Sequence, residues 1–168
     1  GLQPSLVIDP NSPNRMAVGW LRFQLGESPG MSAWATSEDH GLNWSAGGNL
    51  TTIPTWYNDG DSALATNSDG VFFYLTCQQS VLRLFRSYNA GETWYLSSVG
   101  LSSCFENALL AVDQTGLLGH GNLYFSQPST SGSQSLFRRS TDNGETFTQG
   151  FAPVSTLGGS MTIAPDGT

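Results

Sequence analysis

The stretch Ser87-Tyr88-Asn89-Ala90-Gly91-Glu92-Thr93-Trp94 decides the fold of this chain, because its pattern occurs three times. The other two copies are Ser37-Glu38-Asp39-His40-Gly41-Leu42-Asn43-Trp44 and Ser140-Thr141-Asp142-Asn143-Gly144-Glu145-Thr146-Phe147. The shared frame is Ser-x-Asp/Asn-x-Gly-x-Thr/Asn-aromatic, and its Asp/Asn positions are 50 (89 − 39) and 53 (142 − 89) residues apart. A repeat period near fifty residues indicates propeller blades or solenoid turns.

The residue types of this frame predict a tight turn at the corner of a β-hairpin. Asp or Asn accepts hydrogen bonds from backbone N–H groups two or three residues further on, and Gly supplies a positive φ. Ser and Thr hydroxyls bond the remaining polar backbone, and we expect the aromatic ring to pack into the apolar layer beneath. The frame therefore predicts architecture and not catalysis.

This pattern resembles the Asp-box (BNR) repeat of the sialidase superfamily of β-propellers. The resemblance implies antiparallel blades of four strands, with ligands bound at the end of the blades opposite the box turns. It gives structural roles to twelve box residues: Ser37, Asp39, Gly41, Trp44, Ser87, Asn89, Gly91, Trp94, Ser140, Asp142, Gly144 and Phe147. Such boxes also occur in propellers that hydrolyse nothing.

Each box follows three short apolar runs and precedes a weaker fourth run, which predicts a four-stranded blade. We assign residues 1–57 to blade 1, 58–103 to blade 2, 104–157 to blade 3, and 158–168 to the first strand of a fourth. Propellers close with roughly four to eight blades. An all-β propeller of about three and a quarter blades is therefore incomplete. We expect either a longer chain or copies that assemble, and favour the longer chain.

Composition excludes several classes of function. The net charge is −7 and none of the six cationic residues is lysine, so nucleic acid is not an expected partner. No run reaches the roughly eighteen apolar residues of a membrane span. The acidic, hydroxyl-rich composition predicts an extracellular protein. Asn49 begins a glycosylation sequon and is a better acceptor than Asn43, which lies within a box.

The two cysteines fall at the same end of neighbouring predicted blades. Cys77 ends the second strand of blade 2, and Cys104 precedes the first strand of blade 3. A disulfide between them would link the two blades and fit an oxidising compartment, whereas two reduced buried thiols are the alternative. Two cysteines without clustered histidines do not predict a zinc site.

The segments that enter blades 2 and 3 are the candidate ligand site. They place aromatic residues beside carboxylates, namely Trp56, Tyr57, Asp59 and Asp61 in one segment and Phe105 and Glu106 in the other. Aromatic rings stack on sugars and carboxylates accept hydroxyl hydrogen bonds, so a glycan is the expected ligand. Asp59, Asp61 and Glu106 are weak catalytic candidates as an acid/base pair. The alternative is that these carboxylates bond backbone N–H groups while the rings pack between blades.

The residues of this chain do not support sialidase activity. The resemblance implies three clustered arginines, a Tyr–Glu pair, an Asp and an Arg-Ile-Pro motif, and this motif is absent. Only Arg22 and Arg83 fall near a loop at the expected ligand end. His40 is predicted to be solvated and His120 to lie in a turn. No metal or cofactor is predicted, since calcium prefers about six to eight oxygens and pairs such as Asp9 with Asn11 offer fewer.

These observations favour a non-catalytic extracellular module that binds a glycan or a protein surface. The alternative is a fragment of a glycoside hydrolase whose catalytic residues lie partly in blades outside these residues. A third hypothesis is purely structural: open strand edges pair copies of the chain.

Overall fold

A computed structural model describes residues 2–22, 30–50, 60–98, 108–128, 136–151 and 160–164. The regular structure in these ranges consists of twelve β-strands. None of the described residues forms a helix that could cross a membrane.

The strands form three antiparallel sheets of four, and within each sheet the strands follow chain order. Sheet 1 contains β1 (Leu2–Ile8), β2 (Met16–Arg22), β3 (Met31–Ser37) and β4 (Ser45–Asn49). Sheet 2 contains β5 (Gly60–Thr66), β6 (Phe72–Gln78), β7 (Val81–Ser87) and β8 (Tyr95–Ser98). Sheet 3 contains β9 (Leu109–Val112), β10 (Leu123–Gln127), β11 (Leu136–Ser140) and β12 (Thr148–Phe151). The order of antiparallel neighbours is that of propeller blades.

The chain divides into two compact units, residues 1–104 and residues 105–168. In the first unit, one face of sheet 1 packs on one face of sheet 2. Their first strands run side by side, and the Leu64 N–H donates to Ser5 Oγ at 2.9 Å. The shared core is apolar and consists of Val7, Ala17, Leu50, Leu64, Phe72, Tyr74, Phe85 and Ala90.

Strand β6 is buried along its whole length, so side chains on both of its faces are covered. Strand β2 instead alternates between buried and half-buried positions, because only one face of sheet 1 is fully packed.

The second unit contains sheet 3 and residues 160–164. Leu123 and Phe125 of β10 are fully buried, and the Phe125 ring contacts Phe147 edge-on with centroids 5.2 Å apart. On the other face, Tyr124 and Phe137 stack with centroids 5.8 Å apart and are half-buried.

The predicted four-stranded antiparallel sheets are confirmed. The predicted first strand of a fourth blade has no counterpart in the described part, because residues 160–164 have no regular secondary structure. In each of the three sheets the first strand pairs only with the second. The residues that would form such a partner begin at 165 and lie outside the described ranges, so the fourth blade stays a prediction.

Candidate functional site

Each of the first two sheets has two distinct ends. The turns that join its first strand to its second, and its third to its fourth, lie at what we call the turn end. The connection between its second and third strands, and the chain that links one sheet to the next, lie at the loop end. Most of the predicted ligand residues lie outside the described residues: Trp56, Tyr57, Asp59, Phe105 and Glu106. Asp61 lies in β5, where only its backbone is described.

A buried row of polar side chains lies between sheets 1 and 2 towards the loop end. The Tyr74 hydroxyl bonds Ser62 Oγ at 2.7 Å and the Ala33 carbonyl at 3.2 Å. One step nearer the loop end, Thr76 Oγ1 bonds Ser32 Oγ, and both residues are fully buried. We call this row the polar seam.

Gln78 ends the polar seam at the loop end. Its Nε2 donates to the Leu50 carbonyl at 2.5 Å, and its side chain is fully buried. Gln79 and Ser80 follow with φ of 53° and 57°, which reverses the chain into β7 within two residues. The Gln78 Oε1 atom is buried and accepts no hydrogen bond within the described part of the chain. A buried polar atom at this place adds unused hydrogen-bonding capacity beside Leu50, at the loop end of the seam.

Arg83 places a buried positive charge in the same row. It lies opposite Thr76 in the pairing of β6 with β7 and is 7% exposed. Burial lowers the pKa of its guanidinium, because removal from water disfavours the charged form. The sequence identified Arg83 only as near this end of the blade. Its burial among Thr76 and the other seam residues depends on the packing of two sheets.

Tyr74 is the most enclosed ionisable group of the polar seam. Burial raises the pKa of its phenol to about 12, although hydrogen bonds with Ser62 and neighbouring groups act in the opposite direction. Tyr74 is therefore a neutral donor at physiological pH. Its place in the seam gave no signal in the sequence.

The three repeated turns form the turn end with one hydrogen-bond scheme. The serine Oγ accepts from the glycine N–H, at 2.9 Å in the first turn (Ser37–Gly41) and 2.8 Å in the other two (Ser87–Gly91 and Ser140–Gly144). The same hydroxyl donates to the Asp or Asn side chain at 2.9, 2.9 and 2.7 Å. That side chain accepts from the backbone N–H four residues further on, at 2.8, 3.0 and 2.9 Å.

The turns contain one feature that the sequence did not indicate. The glycines have the expected positive φ, but so do the residues before them: His40 at 58°, Ala90 at 53° and Asn143 at 56°. Two consecutive left-handed residues are unusual outside glycine and asparagine. The serine and Asp/Asn bonds hold this conformation, so even alanine is accepted at the first position.

Trp44 corrects the expectation that every box aromatic packs into the apolar layer. Trp94 and Phe147 do so, in edge-on contact with Tyr74 and Phe125. Trp44 is 42% exposed, and its indole N–H donates to the Gly41 carbonyl at 2.9 Å. The ring lies over its own turn because this side of sheet 1 has no covering sheet among the described residues.

Three carboxylates of the turn end accept hydrogen bonds from their own turns, and these bonds lower their pKa values. Bonds from the backbone and side chain of Asn43 hold the pKa of Asp39 at about 2. Burial acts to raise the pKa of Asp142, but bonds from Thr146 outweigh it and the pKa is also about 2. Bonds from Thr115 lower the pKa of Asp113. None of these three is suited to donate a proton near neutral pH.

A second repeated turn connects the first and second strands of each sheet. Asp9, Asn67 and Asp113 each follow the first strand and accept a backbone N–H two residues further on, at 2.9, 3.1 and 2.8 Å. Asp9 with Asn11 therefore forms an Asx turn. The three turns are equivalent in the repeat, since each follows the first strand of its sheet.

The turn end offers no metal site within the described ranges. A cleft of about 400 Å³ lies between the first two box turns, and Glu38, Asp39 and Glu92 line it with neighbouring polar groups.

Both histidines are exposed. His120 has a structural role, because its Nδ1 accepts the Gly116 N–H at 3.1 Å.

Cys77 is 4% exposed and takes part in a disulfide, so the alternative of a reduced thiol at this position is wrong. Its predicted partner, Cys104, lies outside the described residues, and this pairing stays a prediction.

The side chain of Asn49, which begins the predicted glycosylation sequon, is partly buried. Its Oδ1 is buried and its Nδ2 donates to Met31 Sδ at 3.2 Å.

Several solved structures have a fold similar to that of this chain. No family model and no curated protein sequence matches the chain. Among solved structures, a GH74 enzyme of Niastella koreensis matches 98% of this chain with a TM-score of 0.68 and 20% identity. The Hadza microbial sialidase Hz136 matches 92% with a TM-score of 0.61 and 19% identity, and a chain of the nidogen/laminin complex matches 95% with 0.60 and 14%.

The matched regions are parts of larger proteins: the chain covers 24%, 34% and 52% of these three structures respectively. At such identities the similarity establishes the fold and not the activity. The chain has a β-propeller fold, with three four-stranded antiparallel blades among its described residues.

Proposed function

We propose that this chain is an Asp-box segment of an extracellular propeller and that its loop end binds a glycan without cleaving it. The observation that supports this proposal is that carboxylates described at the turn end are used by the turns themselves. Four of them each accept a backbone N–H group: Asp9, Asp39, Asp113 and Asp142. We therefore expect the ligand to bind at the loop end.

The chemistry of the loop end fits a polyhydroxylated ligand. The polar seam supplies the buried Gln78 and Arg83. We propose that they act together with Trp56, Tyr57 and Asp61, which lie in or next to the sequence that connects β4 to β5. Aromatic faces bind the C–H faces of sugars, and carboxylate and amide groups bond sugar hydroxyls. Glu106 and Phe105 offer the same combination before β9. The extracellular location is supported by the disulfide at Cys77 and by the acidic, lysine-free composition.

A glycoside hydrolase segment is the second candidate, because two of the similar structures are a sialidase and a GH74 enzyme. In that case Asp61 and Glu106 belong to an acid/base pair, and further catalytic residues come from outside these 168 residues. A similar fold also occurs in a chain of the nidogen/laminin complex, which is a complex of another kind.

Glycan binding and glycoside turnover by the same preparation separate the candidates. The binding module predicts saturable glycan binding without turnover of fluorogenic glycosides, and Trp56→Ala should weaken binding by roughly tenfold, the equivalent of about 1.4 kcal/mol. Tyr88→Ala removes a 62% exposed ring at the turn end and should leave binding unchanged. Turnover that disappears in Asp61→Asn or Glu106→Gln would favour the hydrolase. Absence of both glycan binding and turnover would contradict both candidates.

A further inference from the structure

The third box turn has an asparagine followed by a glycine at its two left-handed positions. These residues are Asn143 and Gly144, with φ of 56° and 82°. Asparagine and glycine enter the left-handed region more readily than other residue types, so the turn itself favours this pair. The other two turns have His40 and Ala90 in place of Asn143. Of the three boxes, only the third therefore combines a side-chain amide with a following glycine.

An asparagine followed by glycine can be converted to an acid by water alone, without an enzyme. The glycine nitrogen gives its proton to water and forms a bond to the asparagine Cγ, while the Cγ–Nδ2 bond breaks and ammonia leaves. A second water then opens the five-membered imide at one of its two carbonyl groups. One opening gives aspartate, and the other gives isoaspartate, whose main chain runs through the side-chain carbon. Glycine favours this reaction because no Cβ shields its nitrogen.

Two features of the closed turn oppose ring closure at Asn143. The Gly144 N–H donates to Ser140 Oγ at 2.8 Å, and Gly144 is buried, so water has little access to this proton. The second feature is the left-handed conformation of Asn143, for which ψ is about +47°. At that ψ the Asn143 Cβ and the Gly144 nitrogen lie on nearly opposite sides of the Cα–C bond. The imide ring needs both atoms on the same side.

The reacting side chain itself is open to solvent, because Asn143 is exposed. Ring closure therefore requires only that the turn opens and its backbone leaves the left-handed region. Such local openings cost less free energy than unfolding of the whole sheet. We propose that Asn143 is a site of spontaneous deamidation and that the closed third box turn suppresses the reaction. This modification is independent of the glycan site at the loop end.

The two products should differ in their effect on the turn. Aspartate leaves the main chain unchanged, and Ala90 of the second turn shows that this position accepts another side chain. Isoaspartate adds one carbon to the main chain within the turn. The Ser140–Gly144 and Asp142–Thr146 bonds, at 2.8 and 2.9 Å, both span that point and would no longer fit together. Isoaspartate should therefore loosen the third box, whereas aspartate should not.

Peptide mass spectrometry measures the reaction, because trypsin cleaves after Arg139 and the next peptide begins at Ser140. The chain is incubated at mildly alkaline pH, once folded and once unfolded in guanidinium chloride. The replacement of amide by acid at Asn143 is then followed with time, and electron-based fragmentation separates isoaspartate from aspartate. Conversion should be readily observed in the unfolded chain. It should be slower by roughly tenfold or more in the folded chain, since opening of the turn costs free energy.

Ser140→Ala tests whether the turn controls the rate. It removes the acceptor of the Gly144 N–H and should speed conversion of Asn143 in the folded chain by roughly five- to thirtyfold. Leu109→Ala is the matched control, because it weakens sheet 3 at a half-buried position at the end opposite the box turn.

Three results would overturn the proposal. The first is an equal rate of conversion in the folded and unfolded unmodified chain, a comparison that does not depend on any variant. The second is an acceleration in Ser140→Ala no larger than that in Leu109→Ala. The third is the absence of conversion at Asn143 in the unfolded chain.

Discussion

Gly19 of β2 lies directly against Leu64 of β5. A Cβ on Gly19 would come 2.6 Å from Leu64 Cδ1 and 2.7 Å from Tyr74 Cζ. The Tyr74 hydroxyl is bonded to Ser62 and to the Ala33 carbonyl, which fixes its ring, and the Leu64 side chain is buried in the shared core. The close approach of sheets 1 and 2 thus depends on a residue without a side chain.

Gly19→Ala should lower the free energy of unfolding by about 1–3 kcal/mol, the usual cost of overpacking a core. Gly150→Ala is the matched control, because its Cβ would find its nearest atom at an ordinary distance of 3.4 Å. The control should change stability by less than about 0.5 kcal/mol. Urea denaturation measures both. Equal stability of the Gly19 variant and the unmodified chain would contradict the observed packing.

Ser87→Ala should destabilise the second box turn. Ser87 is fully buried, and its hydroxyl accepts the Gly91 N–H and donates to Asn89. The substitution leaves a buried N–H without its acceptor, at a cost of about 1–3 kcal/mol. Denaturant midpoints provide the measurement, and Ser45→Ala at an exposed strand position is the control. A cost no larger than that of the control would mean that water replaces the lost acceptor.

Acid should destabilise the folded chain through Asp39 and Asp142. Both have a folded pKa of about 2 against an ordinary value of 3.8, so each contributes stability that is fully present above pH 3.8. This contribution is lost as the pH falls from 3.8 to about 2, because the unfolded chain binds protons first.

The double variant Asp39→Asn with Asp142→Asn should therefore have a flatter stability profile between these pH values. Asn89 shows that an amide accepts the same backbone bond in this turn, at 3.0 Å. Thermal unfolding across the pH range provides the measurement, and Asp69→Asn removes one carboxylate from an exposed position as a control. Parallel profiles for the unmodified chain and the double variant would contradict the role given to these carboxylates.

Features that depend on residues close together in the chain could be predicted from the sequence. Features that depend on the packing of one sheet against another could not. The bonds of Ser87 with Gly91 and Asn89 form within five residues, so the turn chemistry and the strand order were readable locally. The polar seam joins Ser32 to Thr76 across 44 residues and is visible only once two sheets are packed. Trp44 was assigned like Trp94 by its position in the motif. Its exposure depends instead on which face of sheet 1 is covered.

The candidate site was predictable in part for the same reason. Aromatic and acidic residues near the starts of β5 and β9 are a local pattern, whereas Gln78 and Arg83 enter the site from the interior of a sheet. An Arg within the apolar run of residues 81–85 was the available signal for the seam. Its partner strand and burial could not be read from periodicity, because β6 and β7 are covered on both faces.

Tyr74 provides a test of the seam at alkaline pH. Its folded pKa of about 12 exceeds the ordinary value of 10.0, so its contribution to stability is complete below pH 10 and is lost as the pH rises towards about 12. Tyr74→Phe removes this ionisation together with the hydroxyl bonds to Ser62 and Ala33, which at neutral pH should cost about 0.5–1.5 kcal/mol. The stability difference between the unmodified chain and the variant should therefore shrink above pH 10. Urea denaturation at a series of pH values measures it, with Tyr95→Phe at a 58% exposed position as the control. A difference that stays constant up to pH 12 would show that Tyr74 is not sealed between the two sheets, and the polar seam would then be open to water.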